Sequence, residues 1–210
     1  FFEDTPSSSL LISEIANALI QAGDFQDVLD VLRRQINDRL FQVGVHILRR
    51  RLTPTMASSP LSNIADAALN SLYPNLLNEF AEQHGQMING EMAIVALGNL
   101  GSRELTIGSD LDLLFIYNCS DVQSDGIKPL SPIPYFNKLG QRYLGALSSP
   151  TAEGLLYEVD LRLRPSGNAG PLASSFDSFV KYHHESAWTW EHMALTRARI
   201  VVAEDSIRIQ

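Results

Sequence analysis

The sequence predicts an α+β fold laid out in three stretches: a helical segment over 1–88, a strand-bearing core over 89–174, and the start of a second helical region over 175–210. Three observations predict it. Apolar residues recur at spacings of three or four through the first stretch. Two short apolar runs, Met92–Leu97 and Leu113–Tyr117, have the length and composition of buried strands. Leu155–Arg164, reading LLYEVDLRLR, alternates apolar and charged residues as a half-buried strand does.

In chain order, a first helix is expected from Ser7 to Gln21, with Ser7, Ser8 or Ser9 as N-cap and Gly23 as the stop. A longer one runs from Phe25 to about Leu52 on the spacing of Val28, Leu32, Ile36, Leu40, Val43 and Ile47. Its arginines, from Arg33 and Arg34 to Arg49–Arg51, read as a solvated face or as a partner-binding patch. After a loop between Pro54 and Pro60, a third helix is expected over Leu61–Gln83, with Ser59 as N-cap, Pro60 at the first helical position and Pro74 as a kink.

The core begins with a strand at Met92–Leu97 and a second at about Asp110–Tyr117. A polar, proline-marked loop covers Ser120–Pro134, and a helix starts at Pro134. The alternating strand Leu155–Arg164 follows. It turns Tyr157, Val159, Leu161 and Leu163 one way and Glu158, Asp160, Arg162 and Arg164 the other. The turn Pro165–Pro171 reads as a surface turn or as a glycine-rich approach to substrate. Beyond Ser175 the expectation is helical, with a last helix over Ala187–Val202. Trp188 and Trp190 in it pack in a core or stack on a base, and Arg197 and Arg199 reach a nucleotide or pair with nearby acids.

Composition narrows the class. The chain is 45% hydrophobic and 19% charged, with a net charge of -8, which speaks against a nonspecific nucleic-acid binder. No apolar run is long enough to span a bilayer, and no signal-peptide pattern opens the chain. A single cysteine, Cys119, has no partner for an internal disulfide, so the expected compartment is the reducing cytoplasm. The chain begins Phe1-Phe2-Glu3 with no Met and reads as a segment of a longer polypeptide. His183, His184 and His192 show no zinc-ligand spacing with Cys119.

The chemistry gathers at Gly98–Tyr117, GNLGSRELTIGSDLDLLFIY. Small residues at Gly98, Gly101, Ser102, Gly108 and Ser109 let backbone approach phosphate oxygens. Asp110 and Asp112, two residues apart on a strand, share one face. There they repel unless a cation lies between them, and hard oxygen ligands suit Mg²⁺. Alternation in the later strand sets Asp160 as a third carboxylate, with Arg162 and Arg164 further along to hold phosphate oxygens.

These residues resemble the signature of the DNA polymerase beta-type nucleotidyltransferases, whose core is a small mixed sheet with helices. More narrowly, GNLGSRELTIGSDLDLLF, LLYEVDLRLRPSGNAGPL and AWTWEHMALTRARIV resemble the bacterial glutamine synthetase adenylyltransferase/adenylyl-removing family, over roughly Leu32 to Asp205. The resemblance implies transfer of AMP from ATP to a tyrosine of glutamine synthetase. It implies Asp110, Asp112 and Asp160 as catalytic residues and ligands of two Mg²⁺ ions, with Gly101, Ser102, Gly108, Ser109, Arg162 and Arg164 on the nucleotide. It also implies the PII signal protein as a regulatory partner of the full enzyme, with no nucleic acid and no membrane.

Family members carry two such domains. Leu156–Asp160, Arg164–Gly167 and Ala187–His192 resemble the C-terminal, adenylylating copy, which has no phenylalanine where Ser166 stands. Gly170–Leu172 resembles the N-terminal copy, which removes AMP by phosphorolysis. Asn99 and Ser102 depart from the usual Gly-Lys-Leu-Gly-Gly turn, and the lost lysine takes one positive charge from the phosphate side. Two rivals stand beside the adenylylating and removing activities. One is a non-catalytic module that binds regulators, and the other is a polymerase on RNA ends, which the acidic balance disfavours.

Overall fold

The structure, a computed structural model, describes Thr5 and residues 7–203 of the chain. The last residues of the expected second helical region, and the Asp205 end of the resemblance, lie outside the described residues. The described chain is a mixed α/β arrangement with seven helices and a five-stranded mixed sheet.

The N-terminal stretch forms three helices: α1 (Ser8–Leu19), α2 (Phe25–Leu48) and α3 (Pro54–His84). Side-chain oxygens of Ser7, Asp24 and Thr53 accept the amide protons left open at their N-termini. The third helix departs from the sequence reading, because it starts at Pro54 and runs unbroken through Pro60 and Pro74. Each proline removes one helical donor. Near Pro74, Asn75 Nδ2 donates to the Ser71 carbonyl at 2.8 Å. Burial does the rest: from Leu61 to Tyr73 nearly every residue is buried, so the middle of α3 is packed all round, while its ends keep exposed positions such as Met56, Pro74 and Asn78.

Chain order continues with β1 (Gly90–Ala96), a one-turn α4 (Gly98–Gly101), β2 (Leu111–Cys119), α5 (Pro132–Ser148), β3 (Val159–Asp160), β4 (Ala173–Ser175), α6 (Phe176–Glu185), α7 (Thr189–Leu195) and β5 (Arg199–Val202). The sheet runs β3-β2-β1-β5, with β4 also on β2. β1 is antiparallel to β2 and β5, whereas β3 and β4 pair parallel to β2 one after the other.

Three expectations are corrected here. The strand expected over Leu155–Arg164 pairs only at Val159–Asp160, because Arg162–Ser166 fold into turns. The helix expected over Ala187–Val202 stops at Leu195, and Arg199–Val202 joins the sheet as β5; the β-branched Ile200, Val201 and Val202 suit a strand. The helix expected from Pro134 begins two residues earlier, at Pro132.

The two sheet faces differ. Leu111, Leu113, Phe115 and Tyr117 of β2 join the main core with α1, α2, α3 and α5. Leu114 and Ile116 point to the other face, where Val95 and Leu97 meet Phe179 of α6 and Leu195 of α7. Asp112 belongs to this second series by the two-residue period. Arg33 on α2 is fully buried and donates to the carbonyls of Ala146 and Ser149, capping the C-terminus of α5. It is therefore a structural tie rather than part of a solvated stripe.

Candidate active site

The site forms at one edge of the sheet, where β1 ends and β2 and β3 begin. Parallel pairing sets Leu111 opposite Val159 and Asp112 directly opposite Asp160, about 4.8 Å apart between strands. Because both residues alternate away from core positions, their carboxylates leave the sheet on the same face. Asp110 stands exposed immediately before β2. The three expected carboxylates are thus neighbours.

Their surroundings divide them. Asp112 is half-buried, and burial first, then the Asp110 and Asp160 carboxylates, push its carboxyl above the usual range, with Arg162 pulling against them. Asp160 goes the other way. Its Oδ1 accepts from the Arg162 backbone N–H at 2.8 Å and its Oδ2 from Arg162 Nε at 2.7 Å. These bonds hold the Asp160 carboxyl below its ordinary range. Arg162 is exposed and, among the described residues, its guanidinium bonds to Asp160 alone, so the same fork can turn to another oxyanion. Arg164 is tied more closely, donating from Nη1 to the Leu161 carbonyl at 2.8 Å.

Among the described residues, no three His, Cys, Asp or Glu side chains are gathered tightly enough to hold a metal ion as they stand. The chemistry of the donor set nevertheless fits a hard cation. Asp110, Asp112 and Asp160 offer oxygen ligands alone, and Asp112 carries negative field that Arg162 only partly offsets.

The small residues of the motif serve different ends. Gly98 has φ 49°, and a Cβ there would lie 2.1 Å from Asp112 Oδ2, so glycine is required both by backbone and by the carboxylate it abuts. Gly101 is buried, and a Cβ would lie 2.0 Å from the Arg197 carbonyl oxygen of the chain leading into β5. Ser102 Oγ lies 3.1 Å from the Gly98 carbonyl and 2.8 Å from Glu104 Oε2, which commits its proton within the turn. Ser109 Oγ accepts from the Thr106 N–H at 3.1 Å. Gly108 and Ser109 line a mainly apolar cavity of about 290 Å³ with Leu40, Leu61, Leu105 and Leu156, on the main-core side. The structure thus brings the carboxylates and Arg162 together, and gives Gly101 and Ser102 internal partners.

Trp188 and Trp190 are 71% and 54% exposed, so neither packs in a core. The rings of His183 and His192 lie 5.5 Å apart between α6 and α7, and burial lowers the His183 pKa.

One group escaped sequence reasoning. Asp66 of α3, with a side chain 8% exposed, accepts from Arg199 Nη1 at 3.1 Å and Nη2 at 2.9 Å, and from Arg103 Nη1 at 2.9 Å. Arg199 Nη2 also donates to the Leu100 carbonyl at 2.9 Å, and its Nε lies 3.4 Å from the Gly101 carbonyl oxygen. Arg103, with φ 61°, donates to Asn63 Oδ1 as well. The signal was a lone aspartate inside the apolar run Ile64-Ala65-Asp66-Ala67-Ala68-Leu69, since an unpaired charge is costly there.

The sequence profile described as glutamate-ammonia ligase adenylyltransferase matches residues 2–210. A protein of Rhizobium meliloti (strain 1021) named bifunctional glutamine synthetase adenylyltransferase/adenylyl-removing enzyme is 43% identical over 206 residues, covering 97% of this chain. Relatives of the same name in Agrobacterium fabrum and Mesorhizobium japonicum are 42% and 46% identical, over 97% and 84% of this chain. The chain spans only 21%, 21% and 18% of these relatives' lengths. Among the described residues, no helix is long and apolar enough to cross a membrane.

Proposed function

The chain belongs to the glutamate-ammonia ligase adenylyltransferase family, and from that premise we propose that it is a nucleotidyl-transfer unit with a DNA polymerase beta-type core, moving AMP from ATP to a tyrosine hydroxyl of glutamine synthetase. The observation that carries this reading is the register pairing Asp112 with Asp160 at the sheet edge, with Asp110 just before them.

In this reading Asp110, Asp112 and Asp160 hold two Mg²⁺ ions. Bound there, Mg²⁺ screens phosphate charge and lowers the pKa of an attacking hydroxyl. The protein's own groups orient the reactants. Gly98 keeps bulk away from the Asp112 carboxylate, which fixes where that ligand can point. Arg162 holds Asp160 ionised and offers guanidinium donors to the triphosphate, and Arg164 adds charge beside it. Gly101, Ser102, Gly108 and Ser109 are assigned to the backbone around the phosphates. Regulation through the PII signal protein belongs, in this reading, to the full enzyme.

The test is transfer of label from ATP carrying a labelled α-phosphate to unmodified glutamine synthetase. The wild type transfers label in the presence of Mg²⁺, and Asp110→Asn and Asp112→Asn each lose at least ~100-fold. Near wild-type transfer by either variant rules the assignment out. Gly170–Leu172 favours a second reading, in which inorganic phosphate attacks AMP-tyrosine at the same site. Release of label from modified glutamine synthetase by phosphate, without forward transfer, selects it.

A further inference from the structure

We propose that Asp66, in the helical N-terminal stretch and remote in sequence from the motif, is a positioning residue that sets the Gly98–Ser102 turn against the Asp112 carboxylate. Its consequence for catalysis rests on the nucleotidyl-transfer reading; its consequence for the turn rests on geometry alone.

The connection runs through one guanidinium. Arg199 sits on β5 opposite Ala96, the last residue of β1 before the turn. Its Nη1 and Nη2 each donate to an Asp66 oxygen, which fixes the plane of the fork. In that plane Nη2 also reaches the Leu100 carbonyl at 2.9 Å, and Nε faces the Gly101 carbonyl oxygen at 3.4 Å. These carbonyls belong to α4, whose first residue, Gly98, abuts Asp112 Oδ2. Arg103, just past the turn, is drawn to the same carboxylate. Asp66 therefore grips the turn from both sides.

The turn's other hydrogen bonds are mostly local, within residues 97–104, apart from the Leu97 N–H donated to the Asp112 carbonyl. α4 is a single turn, too short to hold its place by helical bonds alone, and it lies close enough to the Arg197 carbonyl that Gly101 admits no Cβ. Without a carboxylate at position 66, two partly exposed guanidinium groups lose their shared, nearly buried acceptor, and the Arg199 fork loses its orientation. A lysine at 199 keeps one positive charge near Asp66 but cannot span both the carboxylate and the Leu100 carbonyl. Displacement of Gly98 then alters where the Asp112 carboxylate points, and small misplacements of this kind weaken both ligand geometry and reaction geometry.

The experiment compares Asp66→Asn and Arg199→Lys with the wild type by hydrogen exchange of backbone amides, and by AMP transfer as a function of Mg²⁺ concentration. Arg199→Lys is included because it keeps a charge for Asp66 and tests the same link where Asp66→Asn fails to fold. The expected result is exchange at least tenfold faster over residues 98–102 with α3 and β2 unchanged. With it comes about a tenfold rise in the Mg²⁺ concentration giving half-maximal transfer. A smaller folded fraction would lower the maximum without moving that midpoint. Unchanged exchange at 98–102 in a folded variant overturns the proposal, as does an unmoved Mg²⁺ midpoint. If the wild type transfers no AMP, the exchange result still decides the structural link, and only the nucleotidyl-transfer reading fails.

Discussion

Gly98 and Asp112 share a space that admits no methyl group: a Cβ on Gly98 would lie 2.1 Å from Asp112 Oδ2, and the Gly98 backbone is already at φ 49°. Alanine there faces a left-handed backbone cost of about 1–2 kcal/mol and must also push the carboxylate aside. We expect Gly98→Ala to lower stability by about that amount and AMP transfer by about 100-fold. Gly154 supplies the control, with φ 88° and nothing within 4 Å of its Cβ position. Gly154→Ala carries similar backbone strain with no carboxylate to displace, so its transfer rate stays near wild type. Equal activity losses in the two variants would refute the role given to Gly98.

Asp112 predicts a trade between stability and activity. Burial and the carboxylates of Asp110 and Asp160 raise its pKa in the folded state. The folded protein therefore binds more protons than the unfolded chain as pH falls from the raised value to the ordinary one, and stability declines as pH rises through that window. At neutral pH the ionised Asp112 is a cost, which asparagine removes. At this half-exposed position the gain is ~1 kcal/mol or less, a Tm rise of at most about 4 °C. Thermal melts of Asp112→Asn against wild type should show the rise at pH 7 and a narrower gap at about pH 3, below the ordinary aspartate range, where Asp112 is largely protonated in both states. Added Mg²⁺ should raise the melting point of the wild type alone.

Arg162 keeps its neighbours ionised. It is the first cause of the lowered Asp160 pKa, and it also opposes the upward push on Asp112. Both carboxylates must lose their protons to ligate a cation. In Arg162→Gln both pKa values rise, so the acid limb of the pH profile for AMP transfer moves to higher pH and the KM for ATP increases. A limb that stays in place would show that Asp160 titrates independently of Arg162.

The carboxylates were legible because a strand has a strict two-residue period: Asp110 and Asp112, and Asp160 among Val159 and Leu161, declare their faces locally. That Asp160 stands beside them followed from its alternating strand, but its parallel register with Asp112 did not, since it depends on pairing between segments separated by α5. β5 was hidden because Arg199–Val202 continues the helical spacing of α7, and only its place beside β1 makes it a strand. The prolines of α3 misled because local donor loss is outweighed by tertiary burial of the segment between them, Leu61–Tyr73, which no window of sequence reports. Asp66 lay furthest from reach, with partners 37 and 133 residues away.

Two buried tyrosines make a paired prediction about the core beneath the site. Tyr143 on α5 donates its hydroxyl to the Leu69 carbonyl of α3 at 2.9 Å, whereas the hydroxyl of Tyr157, just before β3, is buried with no hydrogen-bond partner among the described residues. Burial raises both phenol pKa values, and the Asp66 carboxylate adds to the effect at Tyr157. Phenylalanine at 143 removes a buried hydrogen bond to a carbonyl that keeps its helical donor, a loss of about 1 kcal/mol. Phenylalanine at 157 removes only a desolvated hydroxyl, so the change is neutral or stabilising by up to ~1 kcal/mol. Chemical denaturation of the two variants, with unchanged m-values, measures the difference directly. If Tyr157→Phe proves as costly as Tyr143→Phe, the Tyr157 hydroxyl has a partner after all, and the core between α3 and β3 is more polar than its lining residues indicate.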